Sequence, residues 1–352
     1  MTVRRVLLAV LVPAALAAPL RSPVAEPAQG AVVDALQVHR DAVVVDLHVD
    51  TLLDLAAGKR SLDDTGGKGQ VDIPRLRRGG VDVQVFAAYI NPREAARGQA
   101  RARELVAAFH RATERHTDAL APARTVEEIA AAERAGKIAA VLSVENLGDA
   151  IQDEVGQVDW LSGQGMRIAG LTWNPANALA DGARETRHGG LTPLGRRVVA
   201  RLQDLGIIVD VSHLSPAAFW DVLSSTRGPI VATHSDAWAI RPHYRNLTDE
   251  QLRALAARGG VVGINFYPEF LGAATLEQVV KHIDHMVRVM GIDHVALGSD
   301  FDGIDKVPRG LEDVSRLPNL TRALLAAGYT PEQVRKILGG NALRVFRNVW
   351  GR

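Results

Sequence analysis

Cysteine is absent from the 352 residues, aromatic residues make up only 5% of them, and formal net charge at neutral pH is +1. Without cysteine no disulfide can hold the chain together, so stability must come from core size and from any bound metal. The near-zero charge gives no sign of a polyanionic partner. The basic residues, mostly arginine, are scattered, with no basic block or aromatic-interleaved stripe, which excludes nucleic acid as a partner. Internal repeats are lacking, as are low-complexity linkers after residue 37. With 47% hydrophobic and 23% charged residues, the composition is that of a globular protein with a large core.

The N-terminus has the pattern of an export signal. Met1-Thr2-Val3-Arg4-Arg5 is a basic start, residues 6–16 are apolar, and Ala15-Leu16-Ala17 is an Ala-x-Ala cleavage signal. A membrane-spanning anchor needs roughly 20 apolar residues, and here Pro13 and Pro19 interrupt a shorter run. The expectation is a signal peptide over 1–17, a Pro- and Ala-rich linker over 18–37 and one domain over 38–352. Cleavage near Ala17 would deliver the protein to the periplasm or the extracellular space, and Arg4-Arg5 resembles a twin-arginine signal. No hydrophobic tail follows Trp350, so a glycolipid anchor is not expected.

Eight apolar, β-branched runs read as strands: 42–47, 81–89, 138–144, 167–172, 207–212, 230–233, 261–267 and 294–299. Helix starts stand between the later ones at Thr192-Pro193, Ser215-Pro216, Thr248-Asp249-Glu250-Gln251 and Thr275-Leu276-Glu277-Gln278. Helix stops stand at Gly206, Gly259 and Gly291. Thr330-Pro331-Glu332-Gln333 opens a last helix running to about Val349. Strands apolar throughout and alternating with helices predict a parallel sheet covered on both faces.

Potential metal ligands mark the C-terminal ends of these runs: His48 and Asp50, then Glu145, His213 and His234. Alternate residues of a strand share a face, so His48 and Asp50 point the same way. An open doubly wound sheet would spread these ends along a line. A (β/α)8 barrel gathers them at one mouth, and that fold class is predicted. Three imidazoles and two carboxylates exceed what one tetrahedral zinc takes from protein. Two metals fit the count, with Glu145 as the natural bridge, and hydrolysis of a carbonyl or phosphoryl centre is the chemistry such a pair performs.

Asp46-Leu47-His48-Val49-Asp50-Thr51, Ser143-Val144-Glu145-Asn146, Val211-Ser212-His213-Leu214, Thr233-His234-Ser235, Arg245-Asn246-Leu247-Thr248-Asp249 and Gly298-Ser299-Asp300-Phe301-Asp302-Gly303 together resemble the membrane dipeptidase (renal dipeptidase, peptidase M19) family. The likeness extends to the stretches beginning at Gly310 and Asn341. It implies two Zn2+ per chain, with His48 and Asp50 on one, His213 and His234 on the other and Glu145 on both. It further implies that Arg245 binds the substrate's terminal carboxylate and that Asp300 moves protons at the scissile bond. The substrate would be a dipeptide, often tolerated with a D-residue on its C-terminal side. Relatives are commonly dimers, so the assembly suggested is a homodimer.

One position departs from the family. Many relatives carry Thr-His-Asn where this chain has Thr172-Trp173-Asn174, and an indole offers only an N–H. Either Trp173 shapes the substrate pocket while another group stabilises the oxyanion, or substrate preference has shifted; His188 is a candidate replacement. Trp173 and Tyr267 are the aromatics placed to pack against a substrate side chain. His282 and His285 are expected on a helix surface, His294 at the far end of the barrel, and His39, His110 and His116 away from any ligand. His243 flanks Arg245 as a second pocket candidate. Asp302 suits either support for Asp300 or a turn before Gly303. Hydrolysis of N-acyl amino acids or lactones is the alternative within enzymes, and a non-catalytic peptide-binding homologue the alternative outside them.

Overall fold

In the computed structural model, residues 34–63, 66–187 and 189–350 are described. The expected signal peptide and nearly all of the expected linker lie outside them, as does His188. The helix Ala35–Arg40, capped by the Asp34 carboxylate on the Leu36 amide at 2.9 Å, spans the expected start of the domain.

Nine parallel strands follow: β1 (Val44–Val49), β2 (Val81–Tyr89), β3 (Leu120–Pro122), β4 (Ile138–Glu145), β5 (Met166–Gly170), β6 (Ile208–Asp210), β7 (Val231–Ala232), β8 (Val261–Ile264) and β9 (Val295–Leu297). Eight form a closed ring, β1-β2-β4-β5-β6-β7-β8-β9 and back to β1, with helices between them. This is the (β/α)8 barrel that the alternation predicts. The unpredicted strand β3 pairs with the first half of β4 (Leu120↔Ile138 to Pro122↔Ala140), and β5 takes up the second half from Leu142.

The interior is a packed core to which every strand of the ring contributes: Val45 and Leu47, Val83 and Val85, Ala139 and Val141, Ile168, Ile208, Val231, Val261 and Ala296. The last helix, Asn341–Trp350, adds Ala342, Val345, Phe346 and Trp350 to the same cluster. A larger apolar layer lies between strands and helices.

The predicted helix starts are real caps. Thr192 and Ser215 accept from the third residue beyond, and Thr248 and Thr330 form complete capping boxes with Gln251 and Gln333. At Thr275 only half the expected box forms. Its hydroxyl accepts from the Gln278 amide, while the Gln278 side chain donates instead to the Leu271 carbonyl at 2.7 Å. The final helix is also not uniform: Lys336–Gly340 is a π-helical turn, where a Cβ on Gly339 would stand 2.1 Å from the Val43 carbonyl oxygen. Among the described residues no helix is long and apolar enough to cross a membrane.

Several ladders stop short of the apolar runs that encode them. The runs 207–212, 261–267 and 294–299 leave the sheet after Asp210, Ile264 and Leu297. The residues that peel away carry the polar groups described next.

Candidate metal centre

His48 sits in β1 inside the stretch between Asp46 and Val49 where the register with β2 shifts, the kind of irregularity that re-aims side chains next to active sites. Glu145 is the last residue of β4, while His213, His234 and Asp300 lie just beyond β6, β7 and β9. His213 and Asp300 have φ of 66° and 64°, and Asn146, directly after Glu145, has 64°. Non-glycine residues held in the left-handed region cluster where surrounding structure fixes them for function.

These tips converge. Glu145 Oε1 lies 2.8 Å from His213 Nε2 and 3.9 Å from His234 Nε2, while its Oε2 lies 3.4 Å from His48 Nε2. His48 Nε2 is 3.6 Å from Asp50 Oδ2 and 4.0 Å from Asp300 Oδ1. Three candidate ligand groups result, His48/Asp50/Glu145, Glu145/His213/His234 and His48/His234/Asp300, with Glu145 shared by the first two. All five side chains are buried.

Two features test whether cations fit here. His48 Nε2 and Asp50 Oδ1 are buried with no hydrogen-bond partner, a costly arrangement unless something else binds them. Second, His213 Nε2 and His234 Nε2 stand 2.9 Å apart. Burial and then the nearby Arg245 charge push the His213 pKa down to about 4, while burial and then the His48 charge push that of His234 well below its ordinary value. Both rings are thus neutral at pH 7, with lone pairs available. Their remaining nitrogens are held from behind: His213 Nδ1 by Asn174 Oδ1 at 2.9 Å, and His234 Nδ1 by Thr233 Oγ1 at 2.8 Å, which donates to Asp210 Oδ2 at 2.6 Å. Such outer partners orient metal-binding imidazoles, and imidazole with carboxylate suits a borderline divalent cation. The residues fit bound divalent metal.

A cavity of about 400 Å³ opens over this cluster, lined by Asp50, Glu145, His213 and Asp300 together with Tyr89, Trp173, Arg184, Tyr244, Tyr267 and Phe270, within the size range of small-molecule sites. Trp173 and Tyr267, the two aromatics singled out in the sequence, both line it. Trp173 packs 5.6 Å from the Tyr89 ring and 6.0 Å from His213. Arg245 does not line the cavity but is buried behind its wall. Its guanidinium donates to the His234 carbonyl at 3.0 Å and lies 5.4 Å over the Phe270 ring, leaving Nε without a partner.

Asp300 is held by a network that spans β1, β8 and β9. Its amide donates to the His48 carbonyl at 3.1 Å, and its Oδ2 accepts from Asn265 Nδ2 at 2.9 Å. Ser299, one residue earlier, donates its hydroxyl to buried Asp46 at 2.6 Å. Asp302 accepts from Thr51 at 2.6 Å, from the Gln70 amide at 2.6 Å and from Arg60, so it ties the loop after β1 to the loop after β9.

Gly303 closes this loop, and a Cβ there would stand 2.1 Å from Asp50 Oδ2 and 2.6 Å from Asp300 Oδ1. Gly303→Ala must therefore displace both carboxylates. A loss of at least about a hundredfold in turnover is expected, as for an ångström-scale misplacement, with folding intact by circular dichroism. Steady-state kinetics check this, and wild-type turnover in the variant would contradict it.

Comparison with known proteins agrees with this geometry. The sequence profile of Peptidase_M19, membrane dipeptidase (peptidase family M19), matches residues 33–350. The chain belongs to the membrane dipeptidase family. Membership makes it a hydrolase of the metallo-dipeptidase class. Dipeptidase aclJ of Aspergillus oryzae is 37% identical over 297 residues, covering 80% of this chain and 70% of that protein. A metallopeptidase from Rhodobacter sphaeroides, solved with a phosphinate mimic of the dipeptide L-Ala-D-Ala, superposes with a TM-score of 0.83 at 30% identity, covering 88% of this chain and 99% of that one. The probable dipeptidase PvdM from Pseudomonas aeruginosa gives 0.84 at 25% identity, over 90% and 98%.

Within this family member, some sequence expectations need correction. His282 is not on a helix surface but fully buried; its Nδ1 accepts from the Ala237 amide at 3.2 Å, and its Nε2 lies 2.9 Å from the Leu271 carbonyl oxygen. It ties the helix Leu276–Met290 to the loops after β7 and β8. His285 is partly buried on Asp249 at 2.7 Å. His294 bonds the Gly260 carbonyl oxygen at the base of the barrel, and His39 lies between Thr321 and the Gly79 carbonyl. His243 is absent from the cavity lining and stacks between Tyr244 and Phe270. Asn265, Tyr89, Arg184 and Tyr244 escaped notice in the sequence, since no local pattern separates them from ordinary strand-end and loop residues.

Proposed function

We propose that the protein is a zinc-dependent dipeptidase that is exported after cleavage near Ala17. The observation that carries this is the sharing of Glu145 between two buried three-ligand groups, one of which leaves His48 Nε2 and Asp50 Oδ1 unpartnered. His48 and Asp50 would hold one cation, His213 and His234 the other, and Glu145 both. Two such cations supply Lewis acidity toward a carbonyl and a water acidified to near neutrality.

The chain's own residues supply the rest. Asp300, oriented by Asn265, takes a proton beside the scissile bond and returns it to the leaving amine. Its burial, followed by the charges of Asp50 and Glu145, outweighs the His48 charge and raises its pKa to about 7 in the metal-free chain. The family resemblance assigns Arg245 to the terminal carboxylate; its guanidinium lies behind Phe270 with Nε buried and unpartnered, so this role requires Phe270 to move aside. Trp173 and Tyr267 pack against the substrate side chains. That the Rhodobacter sphaeroides relative holds a mimic of L-Ala-D-Ala supports acceptance of a D-residue on the C-terminal side. A homodimer is the assembly proposed from the family resemblance.

The test is turnover. Zinc-loaded protein offered L,L and L,D dipeptides beside N-acyl amino acids is expected to release free amino acids from the dipeptides. No turnover of any dipeptide, with metal content measured and present, would overturn the proposal.

A further inference from the structure

We infer that Arg184 reads a second carboxylate, on a side chain of the dipeptide, and so favours substrates with an acidic residue. This rests on the dipeptidase reading and names a substrate class for the same site.

Arg184 is the single arginine or lysine among the described residues that line the cavity; the other charged lining side chains are acids, apart from His213. Its guanidinium lies 5.1 Å over the Tyr244 ring, and its Nε donates to the Tyr244 hydroxyl at 2.9 Å. No carboxylate among the described residues pairs with it. Fixing Nε in this way leaves the two terminal nitrogens as a free fork, the geometry that takes a carboxylate through two parallel hydrogen bonds.

The backbone that carries Arg184 is tied to the metal centre. Its amide donates to the Asn174 carbonyl at 2.9 Å, the Ala183 amide donates to the His213 carbonyl at 2.7 Å, and the Asn174 side chain holds the His213 ring. Gly182 makes this docking feasible, because a Cβ there would stand 2.3 to 2.4 Å from the carbonyl oxygens of Trp173, Asn174 and Pro175. The backbone that carries the guanidinium is therefore placed relative to His213.

Tyr244, His243 and Phe270 form a continuous stack, with ring centroids 4.3 and 4.7 Å apart. Arg184 lies over one end and Arg245 over the other. Two guanidinium groups flank one aromatic wall, one buried near the reacting centre and one at the mouth. A second carboxylate on the dipeptide engages Arg184, the one of the two that lines the cavity.

The experiment compares kcat/KM of the zinc-loaded protein for Ala-Glu against Ala-Gln and for Glu-Ala against Gln-Ala, at low and high ionic strength. Each pair differs in charge at nearly equal size. At one of the two positions the acidic substrate is expected to be favoured by about tenfold, as for a charge-assisted bond at a partly exposed site, and less so at high salt. Arg184→Met brings that ratio close to one, and Arg184→Glu takes it below one. Because Arg184 is exposed, neither change threatens the core. Ratios near one for both pairs in the wild type, or a preference that survives Arg184→Met, overturn the inference and leave the dipeptidase reading standing. Absence of turnover of all four peptides, with metal present, overturns both.

Discussion

Asp300→Asn is expected to lower kcat/KM by about a thousandfold, within the 10²- to 10⁴-fold range of general acid–base catalysis, while metal content stays near two per chain. Asparagine keeps the shape of the side chain and an oxygen for the Asn265 amide, 2.9 Å away in the wild type. It is also among the few residues that accept the φ of 64° found here, so the backbone need not move. What it cannot do is take up a proton at that oxygen. Without metal, burial raises the pKa of this carboxyl to about 7 against the pull of the His48 charge; bound cations would lower it, leaving a carboxylate that can accept a proton. Kinetics, metal analysis and a thermal melt on the same preparation separate the outcomes. Turnover within tenfold of wild type at full metal content would remove Asp300 from the chemistry, and lost metal would make it a ligand.

Glu145→Gln should abolish both metal binding and turnover. Its two oxygens are divided, Oε1 toward His213 and His234 and Oε2 toward His48. Burial alone would raise its pKa, but His213 and His48 hold it well below the usual carboxylate range, so the wild-type group is an anion at any working pH. The amide has one oxygen and no charge, and its nitrogen is no ligand, so at most one group keeps an oxygen there and neither keeps the negative charge. A protein whose native state binds metal loses stability with the site: about 4 kcal/mol for a cation held at a thousand times its dissociation constant. The variant's melting temperature should therefore match that of chelated wild type and stop responding to added zinc. Retention of two metals by Glu145→Gln would discard the bridging role.

Which of these features could be read in the one-dimensional chain follows from how far each signal reaches. Strand 42–47 declares itself in a run of Ala and Val, and the helix after Thr248 in its own capping box. His48, Glu145, His213 and His234 stand out because each interrupts an apolar run at the same structural point. His282 was misplaced for the complementary reason: it sits in an amphipathic helix beside charged neighbours, and only the return of the 237 and 271 backbones to either side of it buries the ring. Strand β3 has three residues, too few for periodicity to register. Arg245 carries the family motif, yet its place behind Phe270 rather than in the cavity wall is set by the path of the loop after β7.

By itself, then, the sequence determined the (β/α)8 barrel and singled out His48, Asp50, Glu145, His213 and His234 as candidate ligands, because apolar periodicity, capping and interrupted strands are properties of neighbours along the chain; Asp300 was singled out by the family resemblance. Tertiary structure alone decided that Asn265 steadies Asp300, that Gly303 must lack a Cβ beneath two carboxylates, and that Arg184 from the loop after β5 meets Tyr244 from the loop after β7. These residues are far apart in sequence and come together only when the ring of strands closes. Closure fixes the separations of the strand tips, and the loops that fold back over those tips determine which side chains face the substrate.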